Sequence, residues 1–256
     1  MQSINLRAVR DCLVIIPTYN EKENIAKMID TVLSLHARFD ILIVDDGSPD
    51  GTASIVKAKI AENEGRIHII ERTGKLGLGT AYITGFKWAL EHNYQYICEM
   101  DADFSHNPKD LARLVEACEN GAGMSVGSRY IKGGNVKNWP WDRVLMSYFA
   151  SVYVRMITWI RVKDTTAGFV CYTREVLSSI DLDQIQFVGY AFQIEMKFAV
   201  DKGRFKIQEV PITFIDRVEG TSKMSSGIFK EALFGVLVMR RKTFMKPKYY
   251  ARKQLA

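Results

Sequence analysis

Two aspartates one residue apart, Asp101 and Asp103, follow directly on the stretch from Tyr94 to Met100, which reads as a strand. Carboxylates placed this way at a strand end can hold a hard divalent cation that also binds phosphate oxygens. The same spacing suits a solvated turn, because aspartate side chains readily bond to nearby backbone. A second acidic cluster, Asp45-Asp46-Gly47-Ser48 with Asp50-Gly51-Thr52, closes the run from Ile41 to Val44. Gly74, Gly77 and Gly79 match neither the dinucleotide fingerprint nor a phosphate loop ending in Gly-Lys-Ser. His106 has the chemistry of a ligand or an acid, or a plain structural role, and no Ser-His-Asp arrangement is legible.

Those residues need a scaffold, and the apolar pattern supplies one. Cys12 to Ile16 reads as a buried strand, followed by a helix in which Ile25, Met28, Ile29, Val32 and Leu33 share a face. Thr18 with Glu21, or Asn20 with Glu23, is expected to cap that helix reciprocally. Strands follow at Ile41 to Val44, Arg66 to Ile70 and Tyr94 to Met100, with helices after the glycine-rich loop and after Pro108. Strand then helix, repeated, predicts parallel pairing with right-handed crossovers. Such sheets bind ligands outside the carboxyl ends of their strands, where both acidic clusters fall. Beyond Arg129 the expected elements are a helix from Val144 to Ile160, a strand from Phe169 to Tyr172 and a helix from Ala191 to Val200. An extended stretch from Phe205 to Ile215 and a last helix from Ile228 to Phe244 complete the reading. With no linker or repeat, one domain over residues 1–256 is expected.

Composition narrows the function classes. The 256 residues carry 35 basic and 29 acidic side chains, a net charge of +6, and 47% hydrophobic residues, which fits a packed globular chain rather than a disordered one. The basic residues are scattered without interleaved aromatics, so nucleic acid is not an expected partner. Cys12, Cys98, Cys118 and Cys171 are far apart, which indicates neither a zinc cluster nor a disulfide framework. The N-terminus does not read as a signal peptide. The longest apolar stretch, Ala232 to Met239, falls well short of the ~18 residues a spanning helix needs, so any membrane contact is expected to be peripheral.

The motifs then combine. Pro17-Thr18-Tyr19-Asn20-Glu21, Val44-Asp45-Asp46-Gly47-Ser48, Gly77-Leu78-Gly79, Asp101-Ala102-Asp103, Gly127-Ser128-Arg129-Tyr130 and Arg217-Val218-Glu219-Gly220-Thr221-Ser222-Lys223 occur in one order. In this the chain resembles glycosyltransferase family 2, and within it the dolichyl-phosphate mannose synthases, from about Cys12 to the final helix. The resemblance implies an α/β GT-A fold: a Rossmann-like, mostly parallel central sheet flanked by helices. Residues 12–128 would form the nucleotide-sugar half and 129–244 the acceptor half. It places Pro17, Tyr19, Glu21 and Asp46 at the base and ribose, with Val44 and Ala102 in the same substrate-binding set. Asp101 and Asp103 would serve the diphosphate and its Mg2+ or Mn2+, and Arg129, Arg217 and Lys223 would face the phosphates. Where relatives often carry Gln as a further metal contact this chain has Ser105, a shorter ligand.

The implied reaction moves mannose from GDP-mannose to dolichyl or polyprenyl phosphate, at the cytosolic face of a membrane. The enzyme would bind that membrane by itself or through an anchoring partner. Two segments suit interfacial docking and core packing equally: the helix carrying Phe149, Val152, Tyr153, Met156 and Ile157, and the last helix with Phe229, Leu233, Val236 and Leu237 before Arg240 and Arg241. The alternatives are a UDP-sugar donor, a saccharide acceptor, and a non-catalytic nucleotide-sugar-binding module. A saccharide acceptor would require a general base, for which Asp164 and Glu195 are the candidates.

Overall fold

The structure, a computed structural model, describes residues 11–35, 38–216 and 226–251. Strand β1 (Cys12–Thr18), helix α1 (Ile25–Leu35), β2 (Phe39–Asp45), α2 (Thr52–Glu62), β3 (Ile67–Glu71), α3 (Leu78–Glu91) and β4 (Tyr96–Glu99) alternate along the chain. Then come α4 (Leu111–Glu119), β5 (Met124–Ser128), β6 (Asn135–Lys137), α5 (Trp141–Thr158), β7 (Val170–Thr173) and α6 (Arg174–Ser179). The last elements are α7 (Tyr190–Lys202), β8 (Ile207–Pro211), β9 (Thr213–Ile215) and α8 (Ser226–Met245).

Seven strands form one sheet in the order β3-β2-β1-β4-β7-β5-β8, and β6 pairs with β9 apart from it. The pairs β1–β2, β2–β3, β1–β4 and β5–β8 are parallel, as the alternating pattern requires. Strand β7 runs antiparallel to both of its neighbours, β4 and β5. Helices cover both faces, which is why β1 and β2 read as continuous rather than alternating apolar runs. Leu13, Ile15, Leu42 and Val44 pack toward Tyr82 and Phe86 of α3 and Phe192 of α7. Val14, Ile16, Ile41 and Ile43 pack toward Ile25, Met28, Ile29 and Val32 of α1 and Leu111 and Leu114 of α4. All four cysteines are buried free thiols.

One strand escapes the sequence pattern and one local expectation is corrected. Residues 124–128, Met-Ser-Val-Gly-Ser, carry little apolar pattern, yet they form β5, buried throughout. The expected reciprocal cap on α1 is not made, because those side chains and amides join a neighbouring loop instead. Thr18 Oγ1 donates to Asp45 at 2.7 Å, and the Glu21 amide donates to Thr52 Oγ1 at 3.0 Å. The Asn20 amide donates to Ser48 Oγ at 3.0 Å, and that of Lys22 to Asp50 at 3.1 Å. The loops leaving β1 and β2 are thereby fixed to each other at the carboxyl edge of the sheet.

Candidate active site

A cavity of about 430 Å³ opens at that edge. Its lining brings together Pro17, Tyr19 and Glu21 from the loop after β1, Asp46 from the loop after β2, and Asp101, Ala102, Asp103 and Ser105 from the loop after β4. Asp46 is held by Arg72, whose Nε donates at 2.6 Å and whose NH2 also contacts the carboxylate. The same guanidinium reaches Thr80 and the Gly77 carbonyl, so the end of β3 and the start of α3 are tied to this wall. Lys75 places its ammonium 5.0 Å from the centroid of the Tyr19 ring. Gly79 serves packing rather than phosphate: a Cβ there would lie 2.6 Å from the Phe187 carbonyl oxygen and 2.9 Å from the Phe192 ring.

In the loop after β4, Asp103 Oδ1 accepts the Ser105 amide at 3.0 Å, turning the chain so that both aspartates line the cavity. The Ser105 hydroxyl is buried without a hydrogen-bond partner. His106 stacks on Phe169, ring centroids 4.9 Å apart, and meets Phe214 edge-on. Burial, against the opposing pull of Asp103, pushes its imidazole down to about 4. His106 is thus a neutral, ring-packed side chain at neutral pH.

The opposite wall is built around Arg129. Its Nε and NH2 each donate to Asp164 at 2.7 Å, its backbone amide donates to Asp164 Oδ2 at 2.9 Å, and NH2 also reaches Thr166. Burial raises the Asp164 carboxyl, but the Arg129 guanidinium and its hydrogen bonds outweigh this and hold it below the usual aspartate range. The rings of Trp139 and Phe214 lie 5.5 Å from the same guanidinium. Arg143 covers the Trp139 ring at 4.0 Å and pairs with Asp216, the last described residue before position 226.

Behind the cavity floor lies a buried polar network. Glu99 accepts from Tyr172 at 3.0 Å and from Gln193 Nε2 at 2.6 Å, while Lys197 donates to the Ala167 carbonyl at 2.6 Å. Burial raises the Glu99 carboxyl and lowers the Lys197 ammonium from their ordinary ranges. Glu195 accepts the amides of Gln186 and Phe187 and the Tyr250 hydroxyl.

Of the expected site residues, the cavity thus gathers Pro17, Tyr19, Glu21, Asp46, Asp101, Ala102, Asp103, Ser105 and Arg129. Val44 is not among them, since its side chain is fully buried in the core. Arg217 and Lys223 lie outside the described residues. Sequence reasoning did not single out Arg72, Trp139, Arg143, Thr166, Gln193 or Phe214. For Gln193 a signal exists in the sequence: Gln193, Glu195 and Lys197 interrupt an otherwise apolar helix at every second position, which no single solvent face of a helix can accommodate.

Outside the cavity, α5 and α8 pack against each other. They leave Trp141, Phe149, Met156 and Trp159 exposed on α5 and just beyond it, and Phe234, Leu237 and Phe244 exposed on α8. Arg240 lies 4.4 Å over the Trp159 ring. Val154 and Val236 face inward, and the side chains of Phe229 and Leu233 lie outside the described set. Among the described residues no helix is long and apolar enough to cross a membrane.

Comparison with known proteins gives this geometry a setting. The profile described as glycosyl transferase family 2 matches residues 13–180. The polyprenol monophosphomannose synthase of Mycolicibacterium smegmatis is 45% identical over 231 residues, covering 90% of this chain and 87% of that protein. The undecaprenyl-phosphate mannosyltransferase of Micrococcus luteus is 44% identical over 224 residues, covering 88% and 91%. Among solved structures, glucosyl-3-phosphoglycerate synthase from Mycobacterium tuberculosis, bound to Mn2+, UDP and glucosyl-3-phosphoglycerate, superposes with a TM-score of 0.66 at 18% identity, covering 90% of this chain and 80% of that one. A mannosyltransferase from Pyrobaculum calidifontis in complex with GDP-Man and Mn2+ gives 0.57 at 17% identity, covering 95% and 68%. The fold is the GT-A fold that the motifs implied.

Proposed function

The chain belongs to glycosyl transferase family 2, and we propose that it transfers mannose from GDP-mannose to a polyprenyl phosphate, inverting the anomeric carbon. The observation that carries this reading is the cavity itself: an oxygen-rich donor wall faces an acceptor wall around Arg129, and among the described residues the carboxylates on and behind that wall are already engaged. Asp164 is bound by Arg129, Asp216 pairs with Arg143, and Glu195 is buried against backbone amides and Tyr250. A sugar acceptor would need a free carboxylate as a base, and none of these three is free. A phosphate monoester, with a second pKa of about 6, is already mostly anionic at neutral pH and needs none. The names of the two bacterial relatives, both mannose-transferring and both with a polyprenyl acceptor, support the same choice.

The residues divide the work by position. Pro17, Tyr19, Glu21 and Asp46 hold the nucleoside, and the loop ties to Thr52, Ser48 and Arg72 keep that wall rigid before substrate arrives. Asp101, Asp103 and Ser105 offer oxygen donors, and the unpartnered Ser105 hydroxyl beside two carboxylates fits a hard cation. Among the described residues no group of three or more His, Cys, Asp or Glu could hold a metal ion. A hard divalent ion held at Asp101 and Asp103, Mg2+ or Mn2+, would supply charge neutralisation for the departing nucleoside diphosphate. Arg129, with Arg217 and Lys223 from the acceptor half, offsets the repulsion between the two anionic substrates. The reading takes residues 12–128 and 129–244 as donor and acceptor halves of one unit.

The test offers purified protein, Mg2+ or Mn2+ and a short polyprenyl phosphate with GDP-mannose, UDP-glucose and UDP-N-acetylglucosamine in turn. Metal-dependent lipid-linked product from GDP-mannose alone is expected. Product from a UDP-sugar instead would overturn the donor, and nucleotide-sugar binding without lipid product would overturn the acceptor.

A lipid acceptor requires a route to its bilayer, and the exposed apolar side chains of α5 and α8, with Arg155, Arg240 and Arg241 nearby, suit peripheral docking at a cytosolic membrane face. Burying a large apolar side chain contributes about 1.5 kcal/mol or more. The double substitution Phe149→Ser with Met156→Ser is therefore expected to weaken binding to anionic phospholipid vesicles at least about tenfold. Vesicle sedimentation measures this, and turnover of a short, water-soluble acceptor should stay unchanged.

A further inference from the structure

Along the sheet, the cavity's functional groups follow the strand order β2-β1-β4-β7. Asp46 leaves β2, Tyr19 and Glu21 leave β1, and Asp101 and Asp103 leave β4. If nucleoside and diphosphate occupy those stations in turn, the transferred hexose comes next, toward β7. The residues lining that station are Ala167 and Gly168, just before β7, and Gln193 of α7.

Gln193 is held with unusual firmness. Its Nε2 donates to Glu99 Oε2 at 2.6 Å, and its Oε1 accepts from Lys197 Nζ at 3.3 Å. An ammonium can only donate and the buried Glu99 carboxylate accepts, so the two together fix which end of the amide is nitrogen. Lys197 also anchors the Ala167 carbonyl at 2.6 Å, so one buried cation positions both the amide and the loop beside it. The nitrogen carries a second proton. The space next to it is left open by a glycine: a Cβ at position 168 would lie 3.7 Å from Gln193 Nε2 and 3.9 Å from Cδ. Position 168 needs no left-handed backbone and a Cβ there meets only ordinary contacts, so packing alone does not demand glycine.

We propose that Gln193, aimed by Glu99 and Lys197 and uncovered by Gly168, donates a hydrogen bond to a hydroxyl of the transferred hexose and so helps select the sugar. This rests on the donor being a nucleotide sugar. Glu99 and Lys197 are positioning residues, and Gln193 is the one that touches substrate.

The test uses Gly168→Ala, which places a methyl over the amide. By calorimetry with Mn2+, wild type is expected to bind GDP-mannose more tightly than GDP. Gly168→Ala should lose about tenfold in affinity for GDP-mannose while its affinity for GDP stays within twofold. Among monodeoxy GDP-mannoses, the one lacking the contacted hydroxyl should bind wild type and variant alike. Gln193→Met, if it folds, should behave as Gly168→Ala does. Unchanged GDP-mannose affinity in Gly168→Ala, or an equal fall for GDP, would sink the assignment. A wrong donor shows separately, as wild type preferring a UDP-sugar, and the same comparison is then made between that UDP-sugar and UDP.

Discussion

Asp103→Asn is expected to lower sugar transfer by at least about a hundredfold at a metal concentration that saturates wild type, while leaving the thermal midpoint within a few degrees of wild type. The separation follows from what each oxygen does. In the structure Asp103 Oδ1 accepts the Ser105 amide at 3.0 Å, a bond that an asparagine oxygen also accepts, so the turn survives. What asparagine cannot supply is the negative charge that draws a hard cation to this loop. Without it, charge developing on the departing nucleoside diphosphate goes uncompensated, and the loss of one such electrostatic contact costs on the order of 3 kcal/mol in the barrier. Steady-state transfer rates across a Mn2+ titration, with melting curves on the same samples, decide the matter. A variant within threefold of wild type at every metal concentration would remove Asp103 from the site.

The donor wall was readable because its residues follow a rule of placement. Asp46, Asp101 and Asp103 each stand just past the end of a buried strand, and parallel sheets gather such ends along one edge. The acceptor wall had no such rule. β7 enters antiparallel between β4 and β5, so sequence order no longer gives spatial order, and Asp164 meets Arg129 across 35 positions. Arg129 was expected at the phosphates from its motif, but its partner, the most consequential fact about it, lies in a stretch without periodicity. Val44 is the opposite case. It belongs to a motif, yet a residue inside a strand buried on both faces packs in the core, and only the positions after it reach the cavity. The polar side chains on α1's approach were read as local caps, whereas Ser48, Asp50 and Thr52 of the neighbouring loop, brought close by parallel pairing, claimed their groups first.

The second large effect concerns stability. Asp164→Leu is expected to destabilise the fold by about 3 to 5 kcal/mol, because it strands the buried Arg129 guanidinium without its carboxylate. In a chain of this size each kcal/mol moves the melting midpoint by about 2 to 4 °C, so a fall of roughly 10 °C is anticipated. Removing both charges is different. A buried ion pair replaced by apolar groups of similar size is often close to neutral, so Arg129→Met combined with Asp164→Leu should recover part of the midpoint, the remainder being lost because the Arg129 backbone amide no longer has Asp164 Oδ2 to donate to. Asp164 is held below the ordinary aspartate range, so its stabilising contribution is present above that range and is lost as pH falls through the lowered native value. The wild-type advantage over the double variant should therefore shrink only under strongly acidic conditions. Activity separates two roles for the same arginine. If Arg129 only braces the wall, the double variant recovers turnover along with its midpoint. If it also faces the phosphates, as the cavity lining favours, melting recovers and transfer does not. Melting curves and initial rates on the four proteins of the cycle distinguish these outcomes, and a stable, fully active double variant would assign the anionic substrates to Arg217 and Lys223 instead.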